Sequence, residues 1–172
     1  MHEIDRLYEF LKRRKSHSQS KLCLVNVQKI GGGKDNYCLT NAEDNARSMG
    51  YGVVSGWLVL PSKVQENGWQ KQFTQHWWNY DWNRREHLDS SPNIDEGSIY
   101  IQDDEIVKYI NENKQILNSH VASSILFRND MFYCFDYDND KDKGYKFHQL
   151  DELSIDRIFF FQTSDRINDR HL

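Results

Sequence analysis

The sequence predicts an α+β domain built around an antiparallel sheet. Helix-period apolar patterns come first, and short alternating apolar runs bounded by turn residues fill most of the remaining chain. The 172 residues contain no internal repeat and no interdomain linker. This predicts a single domain over 1–172, with an N-terminal helix and basic polar segment at 1–20 and an α+β core at 21–172.

In order, residues 3–14 set Ile4, Leu7, Tyr8 and Leu11 at helical spacing. The cluster Lys12, Arg13, Arg14 and Lys15 then suits a solvated helix C-terminus. "KLCLVNV" alternates as a strand, and "QKIGGGKDN" reads as a loop. Its three glycines do not make a phosphate loop, because Asp35 follows Lys34 where Ser or Thr is needed. Residues 38–49 predict a helix with Ala42, Ala46 and Met49 on one side, stopped by Gly50.

"YGVVSGWLVL" is a strand ended by Pro61, and "SKVQENGWQKQ" a loop or short helix. "FTQHWWNYDW" and "EHLDS" form a hairpin turning near Asn83 and Arg84, with Pro92 marking the exit. "DDEIVKYINENKQIL" predicts a capped amphipathic helix. "VASSILFRNDMFYCFDY" gives two strands around Asn129–Asp130, and "GYKFHQL" and "RIFFFQ" two more.

Composition narrows the function classes. The net charge of −4 implies no general polyanion surface, and four cations on one short run are few, which argues against nucleic acid as a partner. Three cysteines without tight spacing, Cys23, Cys38 and Cys134, predict reduced thiols and neither a disulfide framework nor a zinc site. "DYDNDKDKG" misses the glycine and the glutamate of a calcium loop, with Lys141 and Phe147 in their places. No metal is expected. The absence of a long apolar run and of an apolar leader predicts a cytoplasmic protein with no membrane partner, and leaves delivery into another cell open. Oligomeric state is equally open.

Three residues have a chemical reason to act together. Cys38 stands at the start of a predicted helix, where unpaired N–H groups and the helix dipole favour a thiolate and can donate to an oxyanion. His76, on a strand, can take the thiol proton and later protonate a leaving group. The hairpin sets Asp89 on the neighbouring strand, where it can fix the imidazole's tautomer. His87 shares a strand face with Asp89 and is a second candidate at the substrate side. Alternation puts Trp78 on the face of His76 and Trp77 on the other, so Trp78 is the tryptophan expected to line a cleft.

The order of "NYCLTNA", "QHWWNYD" and "HLDSSP" resembles the transglutaminase-like branch of the papain-like cysteine enzymes, over roughly residues 28–92. The resemblance implies a nucleophile-bearing helix packed on an antiparallel sheet that supplies histidine and aspartate. It implies acyl transfer at amides or thioesters of a protein, peptide or small molecule, with no metal or organic cofactor. An oxyanion hole is expected from the Cys38 N–H together with Gln28, ten residues upstream, or Asn36. The alternative from another class is a non-catalytic protein-binding module that uses an aromatic groove on the same fold.

Overall fold

The structure, a computed structural model, describes residues 3–13, 21–35, 37–59, 68–104, 124–137 and 145–150. The first helix, α1, spans Glu3–Lys12 and turns Ile4, Leu7, Phe10 and Leu11 into the core. Their three- and four-residue spacing makes one apolar stripe. Tyr8 Oη ties α1 to the next segment by donating to the Leu22 carbonyl at 3.1 Å. Helix α2 spans Cys38–Met49, and Gly50 ends it at φ 74° with its N–H on the Ala46 carbonyl. Of the three residues expected on its inner side, Ala42 is buried but Met49 is 63% exposed. The helix meets the sheet through its N-terminal half.

Nine strands form one sheet among the described residues: β1 (Leu22–Val25), β2 (Val27–Lys29), β3 (Gly52–Val59), β4 (Lys71–Asp81), β5 (Glu86–Asp89), β6 (Ile99–Asp103), β7 (Ser124–Arg128), β8 (Met131–Tyr137) and β9 (Tyr145–Gln149). Their order is β1-β6-β3-β4-β7-β8-β9, with β5 also beside β4 and β2 beside β5. Every pairing among them is antiparallel except β2 with β5. The consecutive strands β1 and β2 lie at the two ends of the run β1-β6-β3-β4-β5-β2, so that part of the sheet must curl.

Alternation along the central strands sorts two apolar clusters onto the two faces. Trp57, Val59, Phe73, Trp77 and Ile101 face α1 and Ala42 of α2. Val54, Leu58, Trp78 and Tyr100 pack on the other face, with Val25, Val27, Tyr80 and Ile94 against them. β3 runs beside β4 from Phe73 to Tyr80. Along the other edge of β4, β7 pairs with Lys71–Thr74 and β5 with Asn79–Asp81. Among the described strands neither β7 nor β5 extends along Gln75–Trp78, and α2 packs against β4 through the bond from Asn79 to Ala42.

Two segments differ from expectation. Gln28 and Lys29, expected in a loop, instead join Val27 in the one parallel pairing among the described strands, held by β5 in the register Val27↔His87 and Lys29↔Asp89. Ile99–Asp103, not among the expected strands, lies as a strand between β1 and β3. The expected helix from Asp103 lies outside the described residues beyond Asp104, as do "RIFFFQ", Arg14, Lys15, Asn36 and most of the acidic stretch after Asp136.

Polar side chains pin α2 to the sheet. Asn79, 1% exposed, donates through Nδ2 to the carbonyls of Ala42 (2.8 Å) and Gly52 (3.3 Å). Asn45 Nδ2 donates to Asn79 Oδ1 and Ser90 Oγ, both at 3.0 Å. Asn79→Leu keeps the branched heavy-atom outline of the side chain and removes these bonds. It is expected to lower the unfolding free energy by about 1–3 kcal/mol, the usual loss when buried partners are left unmade. Urea denaturation checks this; an unchanged midpoint would contradict it.

Candidate active site

β4 and β5 bring His76 and Asp89 together, and the first residue of α2 brings Cys38 to the same ring. His76 Nε2 donates to Asp89 Oδ2 at 2.7 Å, with the two side chains 6% and 1% exposed. That bond occupies Nε2 and leaves Nδ1 as the ring nitrogen for Cys38, which lies near enough to raise the proton affinity of the ring. Cys38 is partly exposed, whereas His76 and Asp89 are buried. The three residues singled out from sequence therefore converge on one imidazole.

The cysteine's position depends on the loop before it. Ile30 N–H donates to the Asp89 carbonyl and Gly33 N–H to the Ser90 carbonyl, both at 2.9 Å. A Cβ at Gly33 would lie 2.6 Å from that Ser90 oxygen and 2.6 Å from Asn41 Nδ2, so only glycine fits. Asn41 clamps the loop from the helix side: its Oδ1 accepts from Lys34 N–H at 2.9 Å and its Nδ2 donates to the Lys34 carbonyl at 2.8 Å. The loop, α2 and the Asp89–Ser90 segment are thereby locked to one another. Tyr37 caps α2 without a side-chain hydrogen bond, and its first turn holds no acid. Its leading N–H groups thus face no competing side-chain acceptor at the cap.

Asp89 is 1% exposed and accepts three bonds. Oδ2 takes His76 Nε2–H and the Tyr100 hydroxyl (2.8 Å), and Oδ1 takes Ser91 N–H (2.8 Å). Burial alone would raise its proton affinity, but these bonds and the charge of His76 hold it below the ordinary 3.8. For His76, burial favours the neutral ring, yet Asp89 and Cys38, by hydrogen bonds and by charge, raise it from 6.5 to about 9. Behind the ring, Trp78 stacks on His76 at 6.2 Å and 20°, and Trp78 Nε1–H donates to His87 Nδ1 at 3.0 Å. Burial, and then the charge of Lys21, push His87 down from 6.5. It is a neutral acceptor here.

The remaining sequence candidates fall elsewhere. Trp78 is 1% exposed and backs the imidazole, so it does not form an open cleft wall. Trp57 and Trp77 are core, and Trp82 is 67% exposed beside Tyr80. Gln28 and His87 line a cavity of about 520 Å³ with Val25, Asn26, Val27, Arg85 and Glu86, and its walls do not include Cys38. Asn36, the other oxyanion candidate, lies outside the described residues. Among the described residues no cluster of acids, histidines and cysteines could hold a metal, and no helix is long and apolar enough to cross a membrane. Sequence reasoning missed Tyr100, although the alternation of "SIYIQD" carried the signal. It also missed Asn41, Asn45 and Asn79, for which no local signal exists.

The pair makes folding stability depend on pH. His76 is raised above its unfolded value, so its contribution is complete below about 6.5 and is lost as pH rises through about 9. Asp89 is lowered, so its contribution is present above about 3.8 and is lost as pH falls through its folded value. Unfolding free energy should therefore decline between pH 6.5 and 9, and His76→Gln should flatten that decline. A flat wild-type profile across this range would contradict the assignment.

No protein-family model matches the chain, and neither do any curated protein or solved structure, so the reading of this site rests on its own geometry.

Proposed function

We propose that the protein is a cysteine-dependent acyl-transfer enzyme of the papain-like, transglutaminase-like kind. The observation that carries this is the buried His76–Asp89 pair, in which the imidazole donates its Nε2–H to the carboxylate, with Cys38 at the start of a helix near enough to raise the proton affinity of that ring. A carboxylate, an imidazole and a partly exposed thiol in that order make a nucleophile, its proton carrier and its orienting group.

The nucleophile is Cys38 sulfur and the proton carrier is the His76 ring. Cys38 Sγ attacks the carbonyl carbon of an amide or thioester, and the carbonyl π pair moves to oxygen. The leading N–H groups of α2 face the oxyanion. As the intermediate collapses, the bond to the leaving nitrogen or sulfur breaks and His76 Nδ1 gives that atom its proton. A thioester on Cys38 remains. Water or an amine then attacks it, His76 takes the proton, and Cys38 departs as thiolate. Hydrolysis, deamidation and cross-linking share this course and differ only in the acceptor. Asp89 stays ionised throughout and keeps Nε2 protonated, so that Nδ1 always faces sulfur. The rival reading as a protein-binding module needs an open aromatic groove, and Trp78, the tryptophan expected to line a cleft, is buried.

The test is thiol reactivity. At a pH of about 6.5 an electrophile such as iodoacetamide should label Cys38 well ahead of Cys23, as read by mass spectrometry, and His76→Ala should slow that labelling at least about tenfold. Equal labelling of the two would sink the proposal. Cys38→Ala should fold with modest loss of stability, since it removes little volume, and should lose all acyl transfer. Asp89→Asn should leave a reduced but measurable rate, because the base remains while its tautomer is no longer fixed. Full biological function in a folded Cys38→Ala, His76→Ala double variant would contradict the enzyme reading.

A further inference from the structure

We infer that Tyr100 is a positioning residue of the Cys38–His76–Asp89 site, its hydroxyl and the His76 ring holding one and the same carboxylate oxygen from two strands. The inference rests on the acyl-transfer reading of that site and adds to it a residue from β6. Tyr100 Oη donates to Asp89 Oδ2 at 2.8 Å, and His76 Nε2 donates to the same oxygen at 2.7 Å. The other oxygen, Oδ1, accepts from Ser91 N–H at 2.8 Å. The tyrosine is 3% exposed. Its ring sits 5.9 Å from that of His76 and 5.4 Å, edge-on, from that of Trp78. The hydroxyl proton thus has a fixed direction toward this acceptor.

The arrangement does two things. It fixes the rotation of the carboxylate, since Oδ1 and Oδ2 are held by donors from different segments. It also divides the electron density of Oδ2 between two protons. In a buried pair an undivided carboxylate competes strongly for the imidazole proton, because burial favours neutral forms of both partners. A second donor weakens that pull without removing the charge. The ring then keeps its Nε2 proton while remaining acidic enough to surrender the one on Nδ1. Tyr100 itself does not ionise in this role: burial, followed by the adjacent Asp89 charge, raises it well above its ordinary 10.0. The groups facing His76 are Cys38 from α2, Asp89 from β5, Tyr100 from β6 and, on its own strand, Trp78, behind which stands neutral His87.

Histidine-ring NMR on the full chain tests this without any substrate. In Tyr100→Phe the His76 titration midpoint should rise by about one pH unit, a tenfold gain in proton affinity of the size expected for one lost hydrogen bond to a charged group. The Nε2 proton resonance should move downfield. In an Asp89→Asn background Tyr100→Phe should leave the midpoint where it was, because the oxygen it acts through has lost its charge. Site-specific 3-fluorotyrosine at position 100, a stronger donor of nearly the same size, should move the midpoint the opposite way, which covers the case of a Phe variant that folds poorly. An unmoved or lowered midpoint in Tyr100→Phe, or the same shift with and without Asp89, would overturn the assignment. Failure of selective Cys38 labelling would overturn the enzyme reading while leaving this titration intact. An unmoved titration would remove Tyr100 from the site while leaving the labelling result intact.

Discussion

The rest of the site depends on one buried hydrogen bond, His76 Nε2–H to Asp89 Oδ2. Removing two ionisable groups from water is expensive, and their mutual attraction offsets this only when the remaining lone pairs and protons are also satisfied. Here they are. Asp89 has a backbone donor from Ser91 and a hydroxyl donor from Tyr100, and Cys38 adds to Asp89 in favouring the charged ring of His76. Deleting any one of these leaves a buried group short of a partner. The charged form is therefore a property of the assembly and not of either residue.

That requirement explains why so much of the fold converges on the segment Asp89–Ser90. The parallel strand β2 runs alongside β5 and hands its end to the loop before Cys38, through bonds from Ile30 and Gly33 to the carbonyls of Asp89 and Ser90. Asn41 joins the same loop to α2, and Asn45 and Asn79 join α2 to β4 and Ser90. Amides suit this task because each offers a donor and an acceptor with fixed geometry. An apolar interface would bury α2 equally well but would leave its rotation and register looser. A nucleophile needs its sulfur aimed at one ring nitrogen, which makes orientation the scarcer quantity.

The parts of the fold that sequence could show and the parts it could not divide along physical lines. Helix α2 was legible because Cys38, the apolar spacing and Gly50 are local signals, and the β4–β5 hairpin because its strands and turn are contiguous. Those two elements were enough to bring forward Cys38, His76 and Asp89, whose separation in sequence the hairpin shortens. β2 and β6 were hidden for a different reason. Val27–Lys29 is three residues long and exists because β5 offers it a parallel edge, a long-range fact. Ile99–Asp103 has the right alternation but comes directly after a turn-rich stretch, and its placement between β1 and β3 decides whether Tyr100 meets Asp89. Trp78 shows the opposite limit. Alternation correctly put it on the face of His76, but whether that face is a cleft or a packed interior depends on the curl of the sheet, which a strand pattern does not encode.

The central claim is that His76 is charged at neutral pH because Asp89 and Cys38 together raise its proton affinity. The most direct measurement is the ring-nitrogen NMR titration of His76 in the wild-type chain. Both ring nitrogens should be protonated at neutral pH, with loss of the proton centred near pH 9. Asp89→Asn should move that midpoint down. A His76 ring that is neutral at neutral pH in the folded wild-type protein, titrating at or below its ordinary 6.5, would contradict the account.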